Sequence, residues 1–182
     1  MASVPYLDTA DLSAENQDLL KRPINLHRAL AHSPGAARAM NGMGQFIRYG
    51  SKLDPRLREL AILQVGWLAC SPYEWSHHVK IGHDFGVTDD DITALIDDTA
   101  GKPAKLDVMA KTVLLAAREM TRDGAMSDRT FTTLQSALGN EQVVDLTVTI
   151  GFYNAVVRVL ATLQIDVEED YMPYLRQFPL PG

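Results

Sequence analysis

The chain has 182 residues, 46% of them hydrophobic and 22% charged, and a formal net charge of −6 at pH 7. That length fits one domain with a sizeable core, and the composition is that of an ordinary soluble protein. The acidic balance, with no Lys/Arg cluster able to track phosphates, argues against a nucleic-acid partner. A single cysteine excludes an intramolecular disulfide and fits a reducing compartment. No basic n-region precedes an apolar segment at the N-terminus. The longest uncharged apolar stretch, residues 60–73, is too short to span a bilayer. The expectation is a cytoplasmic protein with no membrane partner.

Helical periodicity with start and stop residues runs through almost the whole chain. Ser13 opens a short helix in "SAENQDLLKR", and "INLHRALAHS" forms a second that ends before Pro34. "GAARAMNGMGQFIRYG" forms a third, with Gly50 expected just past its end. Asp54-Pro55 is an N-cap followed by proline in the first turn. It opens "RLRELAILQVGWLA", apolar almost all round and so expected to be central. Ser71-Pro72-Tyr73-Glu74 repeats the device and reads as a capping box, with Gly86 ending that helix. Thr88 and Asp91 make a similar box. "AKLDVMAKTVLLAAREMTRDG" is strongly amphipathic and closes at Gly124.

Ser127 caps the next helix and Gly139 stops it. Asn140 then caps a long one to Ile165. Its β-branched run (Val143, Val144, Thr147, Val148, Thr149, Ile150) would suit a strand, but the spacing of Val143, Leu146, Ile150, Val157 and Leu160 favours helix. The tail beyond Asp166, with its acids and prolines, is expected on the surface. No strand pair with a hairpin turn is evident. The reading is a single all-α domain over residues 1–182 with about eight helices.

"CSPYEWSHHVKIGHDFG", residues 70–86, concentrates the chemistry. Glu74-x-x-His77 has di-iron spacing, but no other glutamate has a histidine three residues later, so no metal is expected. Cys70 precedes a helix N-terminus, where a thiol can be activated, yet it has no partner cysteine and reads first as a small buried hydrophobe. Glu74 and His78 stand i,i+4 on one helical face, so the carboxylate can orient the ring and hold its proton. Glu59 lies among Ile62, Leu63 and Gly66 on its helical wheel and points into apolar surroundings. Each also has a structural reading: Glu74 as half a capping box, Glu59 as partner of Arg56 or Arg58, His77 and His78 as surface histidines.

"LDPRLRELAILQVGWLACSPYEWSHHVKIGHDFGV" resembles the core of the carboxymuconolactone decarboxylase family, which includes the alkyl hydroperoxidase D-like proteins. The shared elements are the Arg-Glu-Leu opening, the Tyr-Glu-Trp triplet, a histidine four residues after that Glu, and the closing Gly-Val. With "GFYNAVVRVL" the likeness spans about residues 53–165. The hydroperoxidase D-like branch uses a Cys-x-x-Cys, a histidine four residues after the second cysteine, and a glutamate on the preceding helix. Aligned on the histidine, His78 takes that place, Glu59 is the upstream glutamate, and Ser71 and Glu74 stand where the cysteines would be.

That departure removes the redox pair and leaves the proton-moving groups. The resemblance then implies the decarboxylase side. That is a cofactor-free lyase or isomerase acting by proton transfer on a small carboxylated lactone or aromatic-degradation intermediate. His78 would be its general acid, Glu74 and Glu59 its supports. Trp67, Tyr73 and Trp75 are expected to wall the substrate site, with Tyr153 and Asn154 contributing polar groups. A thiol-dependent peroxidase using Cys70, or a non-catalytic small-molecule-binding oligomer, are the rivals. The resemblance also implies an all-helical homo-oligomer, a dimer, trimer or hexamer.

Overall fold

The computed structural model describes residues 2–181. Eight α-helices follow in chain order: α1 Asn25–Leu30, α2 Pro34–Gln45, α3 Pro55–Leu68, α4 Pro72–Asp84, α5 Asp89–Thr99, α6 Val108–Arg122, α7 Asp128–Leu163 and α8 Met172–Gln177. Short 3-10 segments precede α1 and α8, and among the described residues no strand forms. The all-α expectation therefore holds.

Local chemistry sets most of the boundaries. Asp54 caps α3 by accepting from the Leu57 N–H at 3.0 Å, with Pro55 in the first turn. Thr88 and Asp91 exchange reciprocal 3.1 Å bonds at the start of α5, which closes the capping box read from the sequence. Asp107 caps α6 through the Ala110 N–H, so this helix begins at Val108, later than its amphipathic pattern. Arg56 ties the two starts together, bonding Asp91 through Nε at 2.9 Å and Asp107 at 3.0 Å.

α3 is the central element and packs against α4, α6 and α7. Leu60, Ala61, Ile62, Leu63 and Val65 have essentially no exposed surface. A helix surrounded on all sides needs apolar residues around its whole circumference, which explains its weak amphipathicity. α6 meets it with Ala110, Val113, Leu114, Ala116 and Ala117, and α7 with Val143, Leu146, Ile150 and Val157. Each fully buried aliphatic side chain contributes roughly 1.5–3 kcal/mol.

α7 is long and apolar enough by composition to cross a membrane, but half of that apolar window is buried inside the domain. It is also broken at Gly139, where φ is +78° and ψ 172°. Residues 128–138 and 140–163 thus form two helical arms around a kink, at the glycine read as a stop.

One expectation is corrected and one is sharpened. Gly50 is not a left-handed residue past a helix end. The chain leaves α2 through a π turn, Phe46–Gly50, closed by the Ser51 N–H on Phe46 O at 2.9 Å. The tail beyond Asp166 stays at the surface apart from Phe178, but it is docked rather than trailing. Gln164 turns the chain at φ +52°, and α8 packs back on α4. Phe178 is buried there, and its carbonyl accepts from Trp75 Nε1 at 2.8 Å.

The backbone at Gly139 lies in a region only glycine occupies without strain, where other residues lose about 1–3 kcal/mol. Gly139→Ala is expected to lower unfolding free energy by about that amount, read by urea denaturation. An unchanged midpoint would mean the kink does not depend on this glycine.

Candidate active site

The site forms where the first turns of α3 face the middle of α4. Glu59 comes from α3, and Glu74 and His78 from one face of α4, and all three are nearly devoid of exposed surface. The capping box expected at Ser71–Glu74 does not form. The Ser71 side chain makes no cap bond, its N–H donates to Gly66 O, and Pro72 starts the helix instead. Glu74 is thereby free to turn inward.

His78 Nδ1 donates to Glu59 Oε2 at 2.7 Å, and Nε2 stands 3.0 Å from Glu74 Oε1. The second contact is a close charge pair poorly aligned as a hydrogen bond, so Glu74 Oε1 is a buried carboxylate oxygen with no hydrogen-bond partner. Arg58, also buried, donates from Nε to Glu59 Oε1 at 2.9 Å and from a terminal nitrogen to Arg48 O at 3.1 Å. Its guanidinium lies 4.5 Å over the Phe85 ring. The cluster runs Arg58–Glu59–His78–Glu74.

Burial alone would drive His78 toward the neutral form. The charges of Glu74 and Glu59 outweigh it and lift its pKa to about 9, so the ring is an imidazolium at neutral pH. Burial would raise Glu59, but His78 and Arg58 hold it below the usual carboxylate value.

A cavity of about 320 Å³ opens against this cluster. Glu74, His78, Tyr73 and Tyr153 line it, as do His77 and Arg48. Tyr153 sits edge-on to His78, ring centres 4.9 Å apart. Burial and then the charges of Glu74 and Glu59 push its pKa up, so it carries a neutral hydroxyl.

Beside the cluster lies a second set of groups. His77 is sandwiched between Tyr73 and Tyr171, with ring centres at 4.1 and 3.5 Å. Its Nε2 pairs with Glu168 at 2.8 Å, and Glu168 also accepts from Tyr73 OH and the Asn25 N–H. Burial holds the His77 pKa below its ordinary value. Burial would raise Glu168, but the bonds from His77 and Asn25 bring it down to about 2.

Of the residues singled out in the sequence, Glu59, Glu74, His78, Tyr73 and Tyr153 converge, and Trp67, Trp75, Asn154 and Cys70 do not. Trp75 is fully buried and bonds the tail, and Trp67 packs on it at 5.1 Å. Neither lines the cavity. Asn154 faces α6, donating to Thr121 Oγ1 at 3.0 Å. Cys70 is exposed in the turn between α3 and α4, at φ +45°, outside the cavity. His77 is buried rather than superficial. Arg48 and Glu168 lay outside the sequence reading. Nothing local marks them, because the first acts from a π turn and the second from 91 residues away. Among the described residues no three His, Cys, Asp or Glu side chains are grouped as a metal site.

Because folding depresses Glu168, its stabilising contribution is fully present above the ordinary value of 4.5 and is lost as pH falls toward 2. Glu168→Gln is therefore expected to lower the melting temperature at pH 7, with the gap to wild type closing below pH 4.5. A gap independent of pH would contradict the assignment.

Residues 34–119 match the profile of the carboxymuconolactone decarboxylase family. No curated protein sequence matches the chain. Among solved structures, the chain is similar to an AhpD-core, peroxidase-related protein of uncharacterised role from Ralstonia eutropha. The TM-score is 0.79 at 16% identity, over 96% of this chain and 95% of that one. An uncharacterised peroxidase-related protein from Silicibacter sp. TM1040 gives 0.75 at 21% identity, over 93% and 92%. A protein of unknown function from Agrobacterium tumefaciens, named for AhpD antioxidant defence, gives 0.65 at 21%, over 77% and 95%. At these identities the likeness is one of fold.

Proposed function

Residues 34–119 belong to the carboxymuconolactone decarboxylase family, and on that premise we propose that the protein is an acid–base enzyme. It acts as a lyase or isomerase on a small carboxylated lactone or a related aromatic-degradation intermediate. One observation carries this reading. An imidazolium and a buried carboxylate stand together on the wall of a cavity of about 320 Å³, and the only thiol of the chain lies outside it.

The chemistry follows from what these groups can do. When a carboxylate leaves as carbon dioxide, the bonding electron pair passes into the substrate's own carbonyl as an enolate. The carbon then takes a proton. His78, charged and facing the cavity, supplies that proton and recovers it from water. Glu59 holds Nδ1 and keeps the ring in place through the transfer. The neutral hydroxyl of Tyr153, bonded to no described residue, is available to the enolate oxygen. The unaligned oxygen of Glu74 lets the imidazolium–carboxylate contact loosen as the proton moves. A well-placed proton donor supplies roughly 10²–10⁴-fold in rate.

The test is a side-by-side screen of carboxylated lactones, followed by carbon dioxide release, and of organic hydroperoxides, followed by their consumption. Lactone turnover is expected to fall at least about tenfold in both Glu74→Gln and His78→Ala, and to be unaffected in Cys70→Ser. Hydroperoxide turnover that is lost in Cys70→Ser but survives in Glu74→Gln would instead favour thiol chemistry.

A further inference from the structure

Arg48 is a charged, partly buried residue of the cavity wall that the acid–base reading leaves without a task. It sits in the π turn Phe46–Gly50, where one extra residue per turn re-aims the side chains that follow α2. Its carbonyl is pinned by buried Arg58, the same side chain that holds Glu59. The π turn and the proton-moving cluster are thus fixed to one another through a single guanidinium.

The Arg48 guanidinium itself, on a partly buried residue, makes no hydrogen bond or ion pair with any described residue. The neighbouring acids are already engaged, Glu74 by His78 and Asp18 by Arg38. Of the other cations on the wall, Arg22 bonds Tyr171 OH and Lys21 is exposed to solvent. The charge of Arg48 is felt by both Tyr153 and His27, which line the same cavity. A cation whose backbone is pinned, on the wall of a hollow and lacking a counter-charge, is a ready partner for an anion. A guanidinium fits a carboxylate with two parallel bonds.

We propose that Arg48 is the anion-binding residue of this cavity, seating a carboxylate of the ligand so that its remaining body lies toward Glu74, His78 and Tyr153. The inference rests on reading this cavity as the substrate site, and it adds the residue that sets ligand charge and orientation. Glu74 and Arg48 then divide the labour. The acid repels a second negative group from the proton-moving end, and the guanidinium captures one at the other.

The test uses binding, independent of turnover. Benzoate and benzamide have the same ring and differ in charge. Isothermal titration calorimetry with both probes is run on wild type, Arg48→Gln, Arg48→Lys and Lys21→Gln. Wild type is expected to bind benzoate at least about tenfold more tightly than benzamide. Arg48→Gln should erase that preference and leave benzamide unchanged. Arg48→Lys should restore part of it, and Lys21→Gln should keep it. Circular dichroism melts confirm that each variant is folded.

A preference that survives Arg48→Gln, one lost in Lys21→Gln instead, or a wild type that shows none would overturn the proposal. If the preference follows Arg48 but no carboxylated lactone is turned over, the anion site stands and the lyase reading falls.

Discussion

Four charged side chains in the interior, Arg58, Glu59, His78 and Glu74, form the constraint around which the domain is arranged. Two are cationic and two anionic, so the cluster is neutral as a whole. Taking ions out of water costs several kcal/mol each, and only close pairing offsets it. The 2.9 Å Arg58–Glu59 bond, the 2.7 Å His78–Glu59 bond and the 3.0 Å His78–Glu74 contact supply that pairing. Removing one member would leave its neighbour charged and unpaired. Such a cluster is a poor device for stability alone, and Glu74 and His78 at its end line the cavity, which makes it the candidate for chemistry.

The remaining architecture holds these groups in register. α3 is buried around its whole circumference, so Glu59 cannot rotate to water without dislodging Leu60, Ile62 and Leu63. The tail braces the other side of α4, through Phe178 on Trp75 and through Glu168 and Tyr171 on His77. α4 is therefore fixed along one face by core packing and along another by a hydrogen-bonded strap. Preorganisation of this kind lets a protein stabilise charge as it develops.

Much of this could be read from the residues. Asp54-Pro55, Thr88 with Asp91, and Ser127 announce helix starts by local hydrogen-bonding chemistry, and Gly86, Gly124 and Gly139 announce ends by their tolerance of positive φ. The i,i+4 spacing of Glu74 and His78 places them on one face without further information. Glu74 was ambiguous because one carboxylate had two local uses, a cap and a partner for His78. Only the approach of α3 decides between them. The partners of His77 and Trp75 come from a tail about a hundred residues away, which no local pattern encodes. The tryptophans mislead for a related reason, since a large ring suits a core and a cavity wall equally well.

The charge state of His78 is the property on which the proposed chemistry turns, and nitrogen-15 NMR of the imidazole reads it directly. In histidine-labelled protein, with the resonances assigned against His78→Gln, both ring nitrogens should be protonated around pH 7.5. They should titrate near pH 9. A His78 that is already neutral there, with a midpoint at or below its ordinary 6.5, would contradict the buried imidazolium and the proton donor built on it.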